Sequence, residues 1–179
     1  MQINTGWTRA AMAATLVAAS AAAASAQTTA NVEVGEIEAL EMRAQEHLQE
    51  VGDWGRAASL FRRAAELRPS SDPVGVEDLL QAARLSYYHG DKGDAVRDFE
   101  AAGQRALALG DVIAAANAFV DGAWVAEENG RGAKALDLVG RARLLVNSPL
   151  LPNEIRDDLQ NRWVETSLPA AATTSGATQ

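Results

Sequence analysis

One pattern is written three times along the chain: a glycine, an alanine five residues on, a bulky apolar residue four further, and a second alanine three beyond that. It reads Gly52–Ala57–Phe61–Ala64, then Gly90–Ala95–Phe99–Ala102, then Gly130–Ala135–Val139–Ala142. Steps of four and three place the last three residues of each set on one helix face. The glycine ahead of them supplies a turn in which the backbone can go left-handed. Recurrence of such a unit along a chain is how stacked helical repeats are written in sequence. The expected fold class is therefore all-α, and part of the same pattern returns at Gly110, Ala115, Phe119 and Gly122.

Between 36 and 166 the apolar residues follow a helical period, without sustained strand alternation. Proline occurs only at 69, 73, 149, 152 and 169, between the periodic stretches. Seven helices are expected, over about 36–50, 54–68, 74–89, 92–108, 111–128, 132–146 and 153–166. Gly52-Asp53, Gly90-Asp91, Gly110-Asp111 and Asn129-Gly130 end four of them, and Pro69 ends another. Asn153 reads as the N-cap of the last, with Glu154 in its first turn. The short loops make neighbouring helices antiparallel hairpins.

The first 26 residues read as an export signal. Arg9 gives a positive start, residues 10–24 are apolar and uncharged, and Ala24-Ser25-Ala26 is a small-x-small site predicting cleavage between Ala26 and Gln27. An uncleaved anchor is the competing reading, but a span needs roughly 20 strongly apolar residues, and this stretch is shorter and mostly alanine. Residues 27–35 read as a flexible lead-in, 36–166 as the helical domain, and 167–179 as a low-complexity tail. The chain contains no cysteine, so neither a lipid-anchoring cysteine nor a disulfide is available to it. Loss of Arg9 takes the formal charge from −8 to −9. Acidity of that size disfavours nucleic acid or an anionic membrane surface as partner. No stable membrane insertion is expected after cleavage, and the location is periplasmic or secreted.

The segment GDWGRAASLFRRAAELRPSSDP, residues 52–73, resembles the tetratricopeptide repeat family: the Gly-Asp turn, Ala57, Phe61, Ala64 and Pro69 fall at that family's positions. GDKGDAVRDFEAAGQRA (90–106) keeps the same residues without the closing proline, and GRGAKALDLVGRARLL (130–145) replaces the aromatic with Val139. The resemblance covers about 38–146 and implies a right-handed α-solenoid of about three hairpins, with 153–166 as the closing helix. Copies 38 and 40 residues apart depart from the family's 34-residue period, and another two-helix solenoid remains open.

In that family the first helix of each hairpin lines a concave groove that takes peptides. Carried over, the groove residues are Met42 and Arg43 from the first helix, Leu80, Arg84, Tyr87 and Tyr88 from the third, and Asn117, Val120, Trp124 and Glu127 from the fifth. Tyr87 and Trp124 have a second reading, as core residues against the fourth and sixth helices. The resemblance implies a non-enzymatic scaffold binding another protein or a peptide segment. The alternative is an assembly subunit using an outer face or the last helix, near Trp163. No Walker loop, His-Glu-x-x-His or nucleophile elbow occurs, and the only histidines, His47 and His89, have no evident partners in sequence. No cofactor and no metal are expected.

Overall fold

The computed structural model describes residues 34–49, 52–149 and 151–165. By contacts the chain falls into two units, one ending at Ala39 and one beginning at Leu40. Of the first, only the opening of a helix, from Val34, is described. The cleavage site at Ala26 and Gln27, the tail 167–179 and the side chain of Trp163 lie outside the described residues.

The described residues form seven helices and no strand. They are α1 (34–49), α2 (Trp54–Leu67), α3 (Val74–His89), α4 (Lys92–Ala108), α5 (Val112–Glu128), α6 (Gly132–Val146) and α7 (Asn153–Glu165). From α2 to α6 each packs extensively on the next, and α7 touches α6 more lightly. The fold is all-α and repeat-like, as the spacing predicts. α1 already includes Val34 and Gly35, placed by sequence in the lead-in.

The Gly-Asp pairs do two jobs in succession. Gly90, Gly110 and Gly130 all have positive φ, at 97°, 81° and 68°. The following N–H in each case reaches back to a carbonyl one turn inside the finished helix: Asp91 to Ser86 at 2.9 Å, Asp111 to Ala106 at 2.9 Å, Arg131 to Ala126 at 2.8 Å. That is the Schellman closure, which satisfies carbonyls the helix would leave open. The aspartate then caps the next helix, Asp91 accepting from Asp94 N at 3.0 Å and Asp111 from Ala114 N at 2.9 Å. Asp53 does the same for α2 through Arg56 N at 3.0 Å. Arg131 holds the equivalent place before α6 without a side-chain cap. Gly110, a partial copy in sequence, is thus the same device as its neighbours, and one kind of turn joins α3 to α4, α4 to α5 and α5 to α6.

The alanines of the pattern are the seams. Ala57, Ala64, Ala95, Ala102, Ala115 and Ala142 are fully buried, with Phe61, Phe99 and Val139 almost so. Between α4 and α5 the packing is reciprocal. A Cβ on Gly103 would lie 2.5 Å from the Phe119 ring, and one on Gly122 would lie 3.0 Å from Phe99 Cβ. Each helix therefore seats its phenylalanine on the other's glycine, which brings the backbones close. Phe61 fills the parallel place between α1 and α3, with Ala44 and Ala82. Leu159 of α7 closes the end against Ala116, Val146 and Leu151. α7 starts at Asn153, as its sequence suggests, but Asn153 is not its N-cap: Arg156 N–H bonds to Pro152 C=O at 3.0 Å, and Asn153 turns its amide oxygen to the Arg156 guanidinium.

Candidate functional site

α3 carries Tyr87-Tyr88 in its last turn, just before the Gly90 turn, and α2 begins with Trp54, just after the Gly52 turn. Residues flanking two stacked turns become neighbours. The Trp54 and Tyr88 rings meet edge to face, with centroids 5.7 Å apart and planes at 76°. Tyr88 and Tyr87 meet at 5.5 Å and 67°, and Tyr87 meets Trp124 of α5 at 5.3 Å and 51°. Four aromatic rings thus run unbroken across three helices. Edge-to-face contacts of this kind are favourable beyond the area they bury, because a ring's positive edge meets a negative face. The run is nevertheless open to solvent: Tyr88 is 65% exposed, Trp54 39% and Trp124 38%.

A charged pair borders the rings. Lys92 Nζ lies 6.0 Å from the Tyr87 centroid and 3.1 Å from Glu128 on α5. Desolvation, and a hydrogen bond from the Tyr87 hydroxyl to Glu128, push that phenol above its ordinary value. It therefore remains a neutral donor at neutral pH. Arg84, one turn ahead of Tyr87 and Tyr88, is exposed, and its guanidinium has no hydrogen bond or ion pair among the described residues.

Several arginines elsewhere are committed. Arg62 of α2 grips buried Asp98 of α4 with two bonds of 2.8 and 2.7 Å. Arg68 binds Asp78 at 2.7 Å and Asp72 at 2.9 Å and also pairs with Glu41. Burial pushes the Asp78 carboxyl up, with the Arg68 hydrogen bond pulling it down. Arg105 donates to the carbonyls of Ala65, Arg68, Pro69 and Asp72, closing the end of α2. A cleft of about 450 Å³ between α2, α3 and α4 is lined by Arg62, Arg97 and Arg105, with Glu66 and Asp98 interleaved. Its charges already answer one another, Arg97 pairing with Asp94.

Of the residues expected in a groove, Tyr87, Tyr88 and Trp124 come together. Met42, Arg43 and Glu127 are exposed, while Leu80 and Asn117 are half-buried, with Leu80 against the core. Val120 departs from the expectation. It is 7% exposed and belongs to the main core, since the fifth helix is covered on more than one side and carries apolar residues almost all round. Trp124 is neither wholly core nor wholly free, touching Tyr87 on one side and solvent on the other. Trp54, Lys92 and Glu128 join the cluster without having been expected there. Their signal was position: each lies beside a glycine turn at the same helix ends as Tyr87 and Tyr88.

His89 is exposed at the end of α3, its ring against the Gly55 backbone, where a Cβ would come within 2.9 Å. Among the described residues no group of three or more His, Asp or Glu gathers to hold a metal ion, and no helix is long and apolar enough to cross a membrane. No protein-family model matches the sequence, and no curated protein matches it either.

Proposed function

We propose that the chain is a tetratricopeptide-like right-handed solenoid that binds an extended segment of another protein, without catalysis, across α1, α3 and α5. The observation that carries this is the open aromatic run Trp54–Tyr88–Tyr87–Trp124 beside the unpaired Arg84. Rigid aromatic rings and arginine are the side chains that dominate binding surfaces, because they offer large contact area at small entropic cost. The run is held by ring-to-ring contacts across three helices, so a ligand would meet a preformed surface. By the resemblance, Asn117, Met42 and Arg43 belong to the same ligand surface, Asn117 being half-buried and the other two exposed. The chain acts in the cell envelope, after export and cleavage at Ala26–Gln27. A mature protein whose first residue is not Gln27 contradicts that part of the reading.

The test uses peptides selected from a random library on the immobilised full chain. Arg84→Ala with Trp124→Ala is expected to weaken the selected peptides at least about a hundredfold, as loss of two anchor residues does. Helicity should stay that of the parent and the melting temperature should fall by only a few degrees. Affinity unchanged in that double variant excludes the surface.

A further inference from the structure

We propose that the segment received by the aromatic run is proline-rich and bound in the polyproline II conformation. The proposal rests on that run being the ligand surface. An indole N–H and a guanidinium are hydrogen-bond donors that cannot accept. Trp54 and Trp124 are both exposed, and neither indole N–H has a partner among the described residues. The Arg84 guanidinium beside them is likewise unpaired. The carboxylates bordering the run are already engaged or turned away. Glu128 takes the Lys92 ammonium at 3.1 Å and the Tyr87 hydroxyl, and Asp121 has a partner of its own. A carboxylate oxygen of Glu127 lies by the start of α6, 3.7 Å from where a Gly132 Cβ would be. The exposed Tyr88 hydroxyl can serve in either role. The run therefore offers donors and aromatic rings, and few free acceptors.

Such a surface selects the backbone it can receive. An extended chain of ordinary residues brings an N–H for every carbonyl, and each N–H left unpaired against the rings weakens binding. A helix bonds its own carbonyls and leaves the two indoles without acceptors. Proline carries a carbonyl and no N–H. In polyproline II the chain makes no internal hydrogen bonds, so every carbonyl is free to accept from an indole or from Arg84. Proline's fixed φ also means that little freedom is lost on binding. Its apolar rings suit aromatic-lined surfaces, which are the usual receptors of such segments. Dimensions agree. The ring centroids step by 5.7, 5.5 and 5.3 Å from Trp54 to Trp124. At about 3.1 Å per residue, about five residues of polyproline II reach from one indole to the other at the run's fullest extension. Prolines i and i+3 stand about 9 Å apart on one side of the chain, the scale of two steps of the run.

The test is a fluorescence-anisotropy titration of the full chain with labelled, uncharged peptides of about ten residues. They are oligoproline, an alanine–glutamine helix former and a serine–threonine chain. Oligoproline is expected to bind at least about tenfold more tightly than either control. Trp54→Phe and Trp124→Phe keep a ring and remove the indole N–H. Each should weaken oligoproline about fivefold, with the helical circular dichroism unchanged. Within the peptide, exchanging a central proline for alanine restores an N–H, whereas N-methylalanine does not, so alanine should cost the more affinity. Oligoproline that binds no better than the controls overturns the proposal. So do phenylalanine variants that bind it as the parent does, or alanine and N-methylalanine of equal effect. In that event the double variant Arg84→Ala with Trp124→Ala tells which idea has failed. If selected peptides of other composition lose affinity in it, the surface stands and only its proline-rich ligand is wrong. If no peptide is sensitive to it, the surface falls as well.

Discussion

At Gly103 the seam between α4 and α5 has no room for a methyl group unless a neighbour moves. The Phe119 ring occupies the place a Cβ would take, 2.5 Å from it. Alanine is the better helix former by about 1 kcal/mol, so propensity alone favours Gly103→Ala. Overpacking a filled seam costs about 1–3 kcal/mol, and the ring, held between α4 and α5, has little room to yield. The Phe119 ring so close to the added methyl puts the cost toward the upper end of that range, so Gly103→Ala is expected to lower stability by up to about 2 kcal/mol net, read as a lower urea midpoint with an unchanged slope. An unchanged or raised midpoint would mean the seam is looser than described. The sequence marks Gly103 as one small residue among many. That Phe119 sits on it depends on how α4 and α5 are registered, which local spacing does not encode. Ala57, Ala95 and Ala135 were legible because their role repeats at one offset from a glycine. Val120 was misplaced for the opposite reason: on a helix apolar almost all round, spacing alone does not say which stripe faces out.

Helix ends were more legible than helix faces, since each Gly-Asp pair is punctuation with a physical job on both sides. α6 at Arg131 and α3 at Pro73 start without a cap from the N-cap side chain, and at α3 Asp72 Oδ1 takes the Val74 N–H at 3.0 Å instead. That bond comes first among the causes that lower the Asp72 carboxyl below its ordinary value, with Arg68 adding to it. A depressed folded value means that the Asp72 contribution is fully present above the unfolded carboxylate value, about 4. It is lost as pH falls through the depressed value. Asp137, held by Arg141 and Lys134, behaves alike. Asp78 runs the other way: its raised value favours the folded state below the ordinary carboxylate value, and that advantage fades as pH rises through it. Asp72→Asn should therefore lower the urea midpoint at pH 7 and give a shallower acid limb below about pH 4, the two curves converging at the acid end. Parallel curves would assign the acid sensitivity to other carboxylates.

Across the whole molecule, residues far apart in sequence meet because the same turn is reused. Tyr87, Tyr88 and Trp124 could be read from sequence as one surface, since they fall on alternate helices of a repeat. Trp54 could not, because it lies on the second helix, outside the helices expected to line the groove, and joins the run by standing at that helix's first residue. Which ring touches which required the stacking of the turns at Gly52, Gly90 and Gly130. The central claim is that this aromatic run receives the ligand. The chain has four tryptophans, at 7, 54, 124 and 163, so its indole N–H signals are few and assignable by single substitution. The most direct measurement is a two-dimensional nitrogen–proton NMR titration of the full chain with a selected peptide. The account predicts that the indole signals of Trp54 and Trp124 move together and saturate at the peptide's dissociation constant, while the backbone signals of Leu136 and Leu144 stay in place. Saturable binding that leaves both indoles unmoved would contradict it.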